Sequence, residues 1–204
     1  ASVSGRTLRT LEAARLAHAA GAAVAGITDN PGSPLDEELA TCLVLGTAPP
    51  AELAAHAYAG YKNHVAQTQS FTAVWAVELA LCAAATGAEL DVAARIGRPL
   101  GELDAALERA APEHLAGGAD FVFLGSGPHL PMARYGAAKL LEFGLPAQAQ
   151  CLEEWNHLEA FVAGERTRAV FLAGDEPSFA RAAELVGPWS ELGVQSLVLA
   201  PPNH

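Results

Sequence analysis

Short apolar runs alternate with longer stretches of helical periodicity along most of the chain, and this alternation predicts the secondary structure. The pattern predicts helices over residues 7–20, about 64–86, about 131–143 and near 177–187, and strands over 22–28, 41–46, 120–124, 168–173 and 194–200. The strands are largely apolar and alternate with helices, which is typical of a parallel sheet covered on both faces. The sequence therefore predicts an α/β protein.

The chain repeats one plan, in which a strand is followed by a turn rich in Ser and Gly and then by a helix. The more charged residues 88–118 are interpreted as helical connectors between the two copies of this plan. We expect a first domain over residues 1–100 and a second over 101–204. No strand precedes the first Ser-rich turn, so we expect the first domain to be incomplete at its amino end and the chain to be a fragment.

The balance of charges argues against a nucleic-acid partner. The 204 residues include 12 Lys and Arg against 23 Asp and Glu, a net charge of −11, whereas non-specific affinity for nucleic acid depends on clustered cations. Hydrophobic residues make up 51% of the chain, which is enough for a sizeable core. We find no apolar run of the roughly 18–20 residues that a membrane helix needs, so no membrane partner is expected.

The cysteines and the amino end indicate the compartment. Cys42, Cys82 and Cys151 are far apart and lack CxxC or CxxH spacing, so neither a disulfide scaffold nor structural zinc is expected. The opening residues, ASVSGRT, lack the charged and apolar regions of a secretion signal. We therefore expect a cytoplasmic protein without a bound metal or cofactor.

The segment SVSGRT, residues 2–7, brings three hydroxyl groups and one glycine to the start of the first helix. The unpaired N–H groups of a first helical turn, together with hydroxyls and the helix dipole, bind phosphate well. The alternative interpretation is an ordinary Ser or Thr N-cap. The phosphate loop GxxxxGK[ST] is absent, and GSGPHL at residues 125–130 does not fit GxGxxG, so a nucleotide-binding fold is not indicated.

Three motifs follow one another in a specific order: SVSGRT at residues 2–7, GITDNPGSPL at 26–35 and VAQTQSFT at 65–72. This order resembles that of the sugar isomerase (SIS) domain family. The segment FLGSGPHLPMARYGAAKLLEF at 123–143 is similar to the second SIS domain in the isomerase half of glucosamine-6-phosphate synthases. The resemblance covers nearly the whole chain and implies two flavodoxin-like SIS subdomains, each with a parallel sheet flanked by helices.

The same resemblance implies a phosphosugar ligand. Val65 and Gln67, at the start of the long apolar helix, would line the sugar pocket. The residues that hold the sugar phosphate would be Ser2, Ser4, Gly5 and Thr7.

A second group of polar residues lies in the carboxyl-terminal half. Lys139 and Glu142 are spaced i, i+3 on one helix face, and Glu154 and His157 follow shortly afterwards. An aldose–ketose isomerisation needs a base that moves a proton through an enediol, a group that opens the sugar ring, and a charge that stabilises the developing oxyanion. Read from the residues alone, a surface ion pair, a solvated first turn and a structural histidine are the favoured interpretations.

The resemblance assigns roles to these residues. Glu142 would be the proton-shuttling base and Lys139 would support its charge, because GAAKLLE keeps the family's Lys-x-x-Glu spacing. Glu154 and His157 match the family's Glu-x-x-His, whose histidine opens the sugar ring from across a subunit interface. A homodimer with sites near that interface is therefore expected.

Two positions depart from the family pattern. Tyr135 stands where the family has a glutamate four residues before the lysine, and Asn156 stands where it has a lysine. We expect a phosphosugar isomerase, or a deaminase or deglycase, that acts on an amino- or keto-hexose phosphate by Glu and His proton transfer. The alternatives are a phosphosugar-sensing module of a regulator and a degenerate SIS protein with a structural role.

Three further side chains have two interpretations each. Trp75 lies in the long apolar helix and is expected in the core rather than stacked on a sugar. Trp155 fits the core and a sugar-stacking position about equally. His129 follows the GSG turn and is a further candidate to face a ligand.

Overall fold

The computed structural model describes residues 1–47, 68–95, 97, 108, 117 and 120–201. The chain forms two compact units, Ala1–Pro99 and Leu100–His204. Each unit contains a parallel sheet with helices in its connections. The prediction of an α/β fold with parallel sheets flanked by helices is confirmed.

In the first unit, two short strands pair in parallel, with Gly26 opposite Cys42. The backbone at Ser2 and Val3 lies along the other edge of the first strand, because Ser2 N donates to Ile27 O at 2.9 Å and Asp29 N donates to Val3 O at 3.0 Å. The elements of this unit are α1 (Leu8–Ala19), β1 (Gly26–Thr28), α2 (Pro34–Glu38), β2 (Cys42–Val44) and α3 (Gln69–Thr86).

Helix α3 is apolar but largely exposed, which differs from the expected inside helix. Ser70 is its one buried residue, and Trp75 is 44% exposed, so the prediction of a core position for Trp75 is wrong. Its 18 residues reach a mean hydropathy of 1.2, so by length and composition it could cross a membrane, contrary to our expectation that no run was long enough. Core helices of soluble proteins meet the same criterion. A helix that is apolar on all sides gives no indication of which face is buried.

The second unit contains a four-stranded parallel sheet in the order β4-β3-β5-β6. Its elements are β3 (Asp120–Leu124), α4 (His129–Glu142), β4 (Ala147–Gln150), α5 (Leu152–His157), a 3-10 helix (Glu159–Val162), β5 (Thr167–Leu172), α6 (Glu176–Glu191) and β6 (Gln195–Leu199). The sequence pattern did not predict the edge strand β4, because its residues AQAQ alternate over only four positions and include no β-branched or aromatic side chain.

The helices of this unit cover both faces of the sheet. Helix α4 packs against the face of the sheet that carries Phe123. The Phe123 ring lies so close to Gly136 that a Cβ on Gly136 would be 2.7 Å from the ring carbons. Val122 and Leu124 point to the opposite face, where α5, the 3-10 helix and α6 pack. The core cluster on that second face consists of Val122, Leu124, Leu152, Trp155, Ala160, Ala169, Phe171, Ala182, Leu185, Trp189 and Val194.

Aromatic rings form the centre of that cluster. Trp155 and Trp189 meet edge to face with ring centroids 4.3 Å apart, and Phe171 stacks on Trp189 at 5.1 Å. The indole Nε1 of Trp189 donates to Asn156 Oδ1 at 3.2 Å, so its polar atom is satisfied. Trp155 is only 2% exposed. Of its two interpretations, the core position is the one the structure shows.

Replacing Trp189 with Ala should lower the free energy of unfolding by about 3–5 kcal/mol, because it leaves a cavity between two aromatic rings and an unpaired acceptor on Asn156. Urea unfolding followed by circular dichroism measures this loss. Trp75→Ala removes the same side chain from a site that is 44% exposed and should cost much less. Equal losses for the two variants would contradict the described core.

Candidate functional site

The amino-terminal turn brings two hydroxyl groups into contact. Ser2 Oγ and Thr7 Oγ1 are 3.0 Å apart. Thr7 occupies the N-cap position of α1, yet its side chain makes no capping hydrogen bond to that helix. An ordinary N-cap hydroxyl would bond the N–H of the second or third helical residue. The Thr7 side chain is therefore not an ordinary N-cap.

The donors of this turn are arranged around a tight bend. Gly5 N donates to Ser2 O at 3.0 Å, and Arg6 N donates to the Ser4 hydroxyl at 3.2 Å. The following helix is 12 residues long, so its dipole adds positive potential at this end. Arg6 is exposed and adds a cation next to the bend. It is not among the phosphate-binding residues predicted from the sequence. The hydroxyls of the turn and the amino end of the helix together suit a phosphate.

The bend rests on the turn that follows β1. Gly5 has φ +63°, and a Cβ on it would overlap Ser33 Oγ and lie 2.8 Å from Thr28 Oγ1. Thr28 and Ser33 are both fully buried. Leu35 N donates to Gly5 O at 3.1 Å, which ties the start of α2 to the bend. Only glycine fits this position, for both its backbone angle and its lack of a side chain.

A buried carboxylate lies beside the same turn. Asp29 is 2% exposed and accepts hydrogen bonds from the backbone N–H of Thr47, at 2.6 Å, and from the Thr47 hydroxyl. These bonds fix the end of β2 next to the end of β1. Val65 and Gln67, the residues expected to line the sugar pocket, lie outside the described residues.

In the second unit, Lys139 and Glu142 form an ion pair on α4. Lys139 Nζ donates to both carboxylate oxygens of Glu142, at 2.7 and 2.8 Å. The same ammonium lies 5.1 Å from the ring centroid of Tyr135, one turn earlier. Burial raises the pKa of Tyr135, and the charge of Glu142 raises it further. Tyr135, Lys139 and Glu142 thus form one row along the helix, with the lysine at its centre.

The polar residues of helix α5 form two groups: some make contacts with α6, and the others are exposed to solvent. Glu153 accepts two hydrogen bonds from Arg181, at 2.7 and 2.9 Å, and these bonds lower the pKa of Glu153. Asn156 bonds the indole of Trp189 and so belongs to the core contact. Glu154 and His157 are exposed. They are the two residues of this helix for which the resemblance implied a catalytic role.

The structure does not bring Glu142 and His157 together within the second unit. Glu142 lies at the end of α4, which packs on the Phe123 face of the sheet. His157 ends α5, whose Leu152 and Trp155 pack on the opposite face. The sheet therefore separates the two side chains. A reaction that needs both must take one of them from another copy of the chain.

The remaining candidates do not assemble into a site. His129 is the first residue of α4, and its Nδ1 is buried without a hydrogen-bond partner. The Ser126 hydroxyl and the Cys151 thiol are 3.9 Å apart at the neighbouring strand ends. Among the described residues, no group of three or more His, Cys, Asp or Glu side chains could hold a metal ion.

Comparison with known proteins agrees with the family resemblance. Residues 1–76 match the family model of the SIS domain. The resemblance to the SIS family is thereby confirmed, on the part of the chain that carries SVSGRT, GITDNPGSPL and VAQTQSFT. No curated protein sequence matches the chain.

Several solved structures share the fold. The chain is similar to glucosamine-6-phosphate deaminase from Thermotoga maritima (TM-score 0.78, 18% identity, 97% of this chain and 58% of that one). It is also similar to the C-terminal domain of glucosamine-fructose-6-phosphate aminotransferase from Francisella tularensis (0.70, 20%, 98% and 57%). A third is tagatose-6-phosphate ketose/aldose isomerase from Escherichia coli (0.72, 21%, 97% and 54%). The chain spans little more than half the length of each.

Gly5→Ala should destabilise the first unit by more than the cost of its backbone angle, because the new Cβ would also displace Ser33 and Thr28. Gly21→Ala is the matched control, since Gly21 has φ +84° but no other atom within 4 Å of the position that a Cβ would take. The control should cost about 1–2 kcal/mol from backbone strain alone. Chemical unfolding of both variants measures the difference, and equal costs would contradict the described packing of the bend.

Proposed function

We propose that the chain binds a hexose phosphate or hexosamine phosphate through the turn at residues 2–7. The observation that carries this proposal is the pair of hydroxyls of Ser2 and Thr7, 3.0 Å apart, at a helix start that neither of them caps. Both hydroxyls can turn to donate to the oxygens of one phosphate group, with Ser4 and Gly5 completing the bend. The three similar structures, whose names refer to sugar phosphates, support this ligand class.

The proposed reaction is aldose–ketose isomerisation, or deamination of a hexosamine phosphate. Glu142 would take the proton from C2 of the open-chain sugar and return it to C1, through an enediol in the isomerisation and through an enolamine in the deamination, where water then hydrolyses the resulting imine at C2 and ammonia leaves. Lys139 holds both carboxylate oxygens and so orients the base. Its positive charge would also stabilise the enediolate as it forms. Carboxylate, ammonium and imidazole supply all the proton transfers, and no cofactor is required.

Ring opening is assigned to His157, with Glu154 beside it. Since the sheet separates His157 from Glu142 within one copy, the proposal requires the imidazole of a second copy. The residues after His157 support a contact of this kind. Leu158, Phe161 and Val162 are 63%, 84% and 88% exposed, an unusual degree of exposure for three large apolar side chains in five residues. We propose that this segment lies in a homodimer interface, and that the protein acts in the cytoplasm.

A phosphosugar-sensing module without turnover is the second candidate. Asn156 favours it, because this position is used for packing against Trp189 rather than for a charge near the sugar. The two candidates share the phosphate turn and differ in whether Glu142 does chemistry. A panel of hexose and hexosamine phosphates, tested by thermal shift and then by product analysis, would identify a ligand and separate them.

Glu142→Gln should reduce turnover of a substrate found in this panel by about 100-fold or more, because the amide cannot accept the proton. The dissociation constant for the same sugar phosphate should change little. Glu184→Gln is the matched control, since Glu184 also forms an i, i+3 ion pair, with Arg181 at 2.8 Å, on a helix of the same unit. Full activity of Glu142→Gln would contradict its role as the base.

Phe161→Asp should convert a dimer into a monomer. Burial of Leu158, Phe161 and Val162 in the interface would stabilise the dimer by roughly 1.5–3 kcal/mol for each side chain. The aspartate would remove one of these contributions and place a charged carboxylate in the interface. Size-exclusion chromatography with light scattering measures the mass. Leu192→Asp, at a site that is 54% exposed at the end of α6, should leave the dimer intact. A wild-type chain that is monomeric at every concentration would rule out this interface and a trans role for His157.

A further inference from the structure

We infer that Asn30 is a positioning residue that shapes the Ser2–Thr7 turn for an anion and so sets its affinity for phosphate esters. The inference rests on the proposed phosphate-binding function and deepens it. Asn30 is in the turn after β1, 26 residues away from the residue that it holds, and its side chain carries no proposed contact with the ligand.

The side-chain amide of Asn30 binds the backbone of the phosphate turn directly. Asn30 Nδ2 donates to Ser4 O at 3.1 Å. One residue earlier in the phosphate turn, Val3 O accepts a hydrogen bond from Thr28 Oγ1 at 3.2 Å. The backbone N–H of Asn30 in turn donates to Thr28 Oγ1 at 3.2 Å, which links the two residues to each other. Two consecutive carbonyl groups of the phosphate turn are thus held by two side chains from the end of β1 and the turn after it.

This arrangement matters because a carbonyl oxygen carries partial negative charge. A carbonyl that pointed into the cradle would repel a phosphate dianion, whereas an N–H or hydroxyl attracts it. A peptide unit points its carbonyl and its N–H in opposite directions. Val3 O accepts hydrogen bonds from Thr28 Oγ1 and from the backbone N–H of Asp29, and Ser4 O accepts one from Asn30 Nδ2, so neither carbonyl oxygen is left free to turn towards an anion.

An amide suits this position better than the other small polar side chains. An aspartate of nearly the same size would place a carboxylate oxygen against the Ser4 carbonyl and would add a negative charge close to the phosphate. Alanine would remove the donor and leave Ser4 O free to reorient. If Asn30 acts as inferred, both substitutions weaken phosphate binding, and aspartate weakens it more than alanine does.

The experiment measures dissociation constants for inorganic phosphate and fructose 6-phosphate by calorimetry. We expect Asn30→Ala to weaken binding of both probes about 5- to 20-fold, because the hydrogen bond that orders the Ser4 carbonyl is lost. Asn30→Asp should weaken it further at pH 8. Its deficit relative to wild type should shrink towards about pH 5, because the phosphate group changes from dianion to monoanion (second pKa about 6) and is then repelled less by the added carboxylate.

Asn156→Ala is the matched control. It removes an amide that also makes one side-chain hydrogen bond, to Trp189 at 3.2 Å, in the other unit. Both alanine variants should lower the melting temperature without ligand, but only Asn30→Ala should change the dissociation constants. Wild-type affinity in Asn30→Ala, with a melting temperature lowered as in Asn156→Ala, would overturn the inference and leave the proposed function standing. Failure of the wild-type chain to bind either probe would overturn both.

Discussion

The contact between two neighbouring turns is the constraint on which the candidate site depends. The Ser2–Thr7 turn has a glycine with a positive φ at position 5. Its conformation comes from the turn after β1, where buried Thr28 and Ser33 leave no room for a Cβ and where Asn30 bonds Ser4 O. The hydroxyls of Ser2 and Thr7 can face each other only because the parallel backbone at β1 brings these two turns side by side.

The second unit has the same kind of architecture, a parallel sheet with helices, but carries a different set of candidate residues. Its sheet has helices on both faces, and the proposed catalytic groups are on opposite ones, Glu142 on α4 and His157 on α5. In a single copy of this unit, the Glu142–Lys139 ion pair lies on one face of the sheet. The exposed His157 and the exposed apolar side chains that follow it lie on the other face. With the roles that the family resemblance implies for Glu142 and His157, this separation supports the proposed dimer, because proton transfer at one sugar requires groups within hydrogen-bond reach.

Much of the fold could be predicted because the strands are apolar and the helices are periodic. The strand at Asp120–Leu124 and the helix that ends at Glu142 follow the predicted ranges closely. The edge strand Ala147–Gln150 was missed, because an edge strand pairs on one side and needs no apolar run. The positions of the tryptophans could not be predicted either. Trp75 lies in an apolar helix and Trp155 in a mostly polar one, yet packing leaves the first exposed and buries the second.

The sequence by itself determined the ordered motifs, the SIS resemblance and the candidate phosphate residues, because these depend on residue type and spacing along the chain. The tertiary structure alone decided which of these residues meet. It placed the Ser2 and Thr7 hydroxyls 3.0 Å apart, turned Asn156 towards Trp189, and put a sheet between Glu142 and His157. Such relations join residues that are distant in sequence, and they arise from backbone pairing and close packing, which no local pattern records.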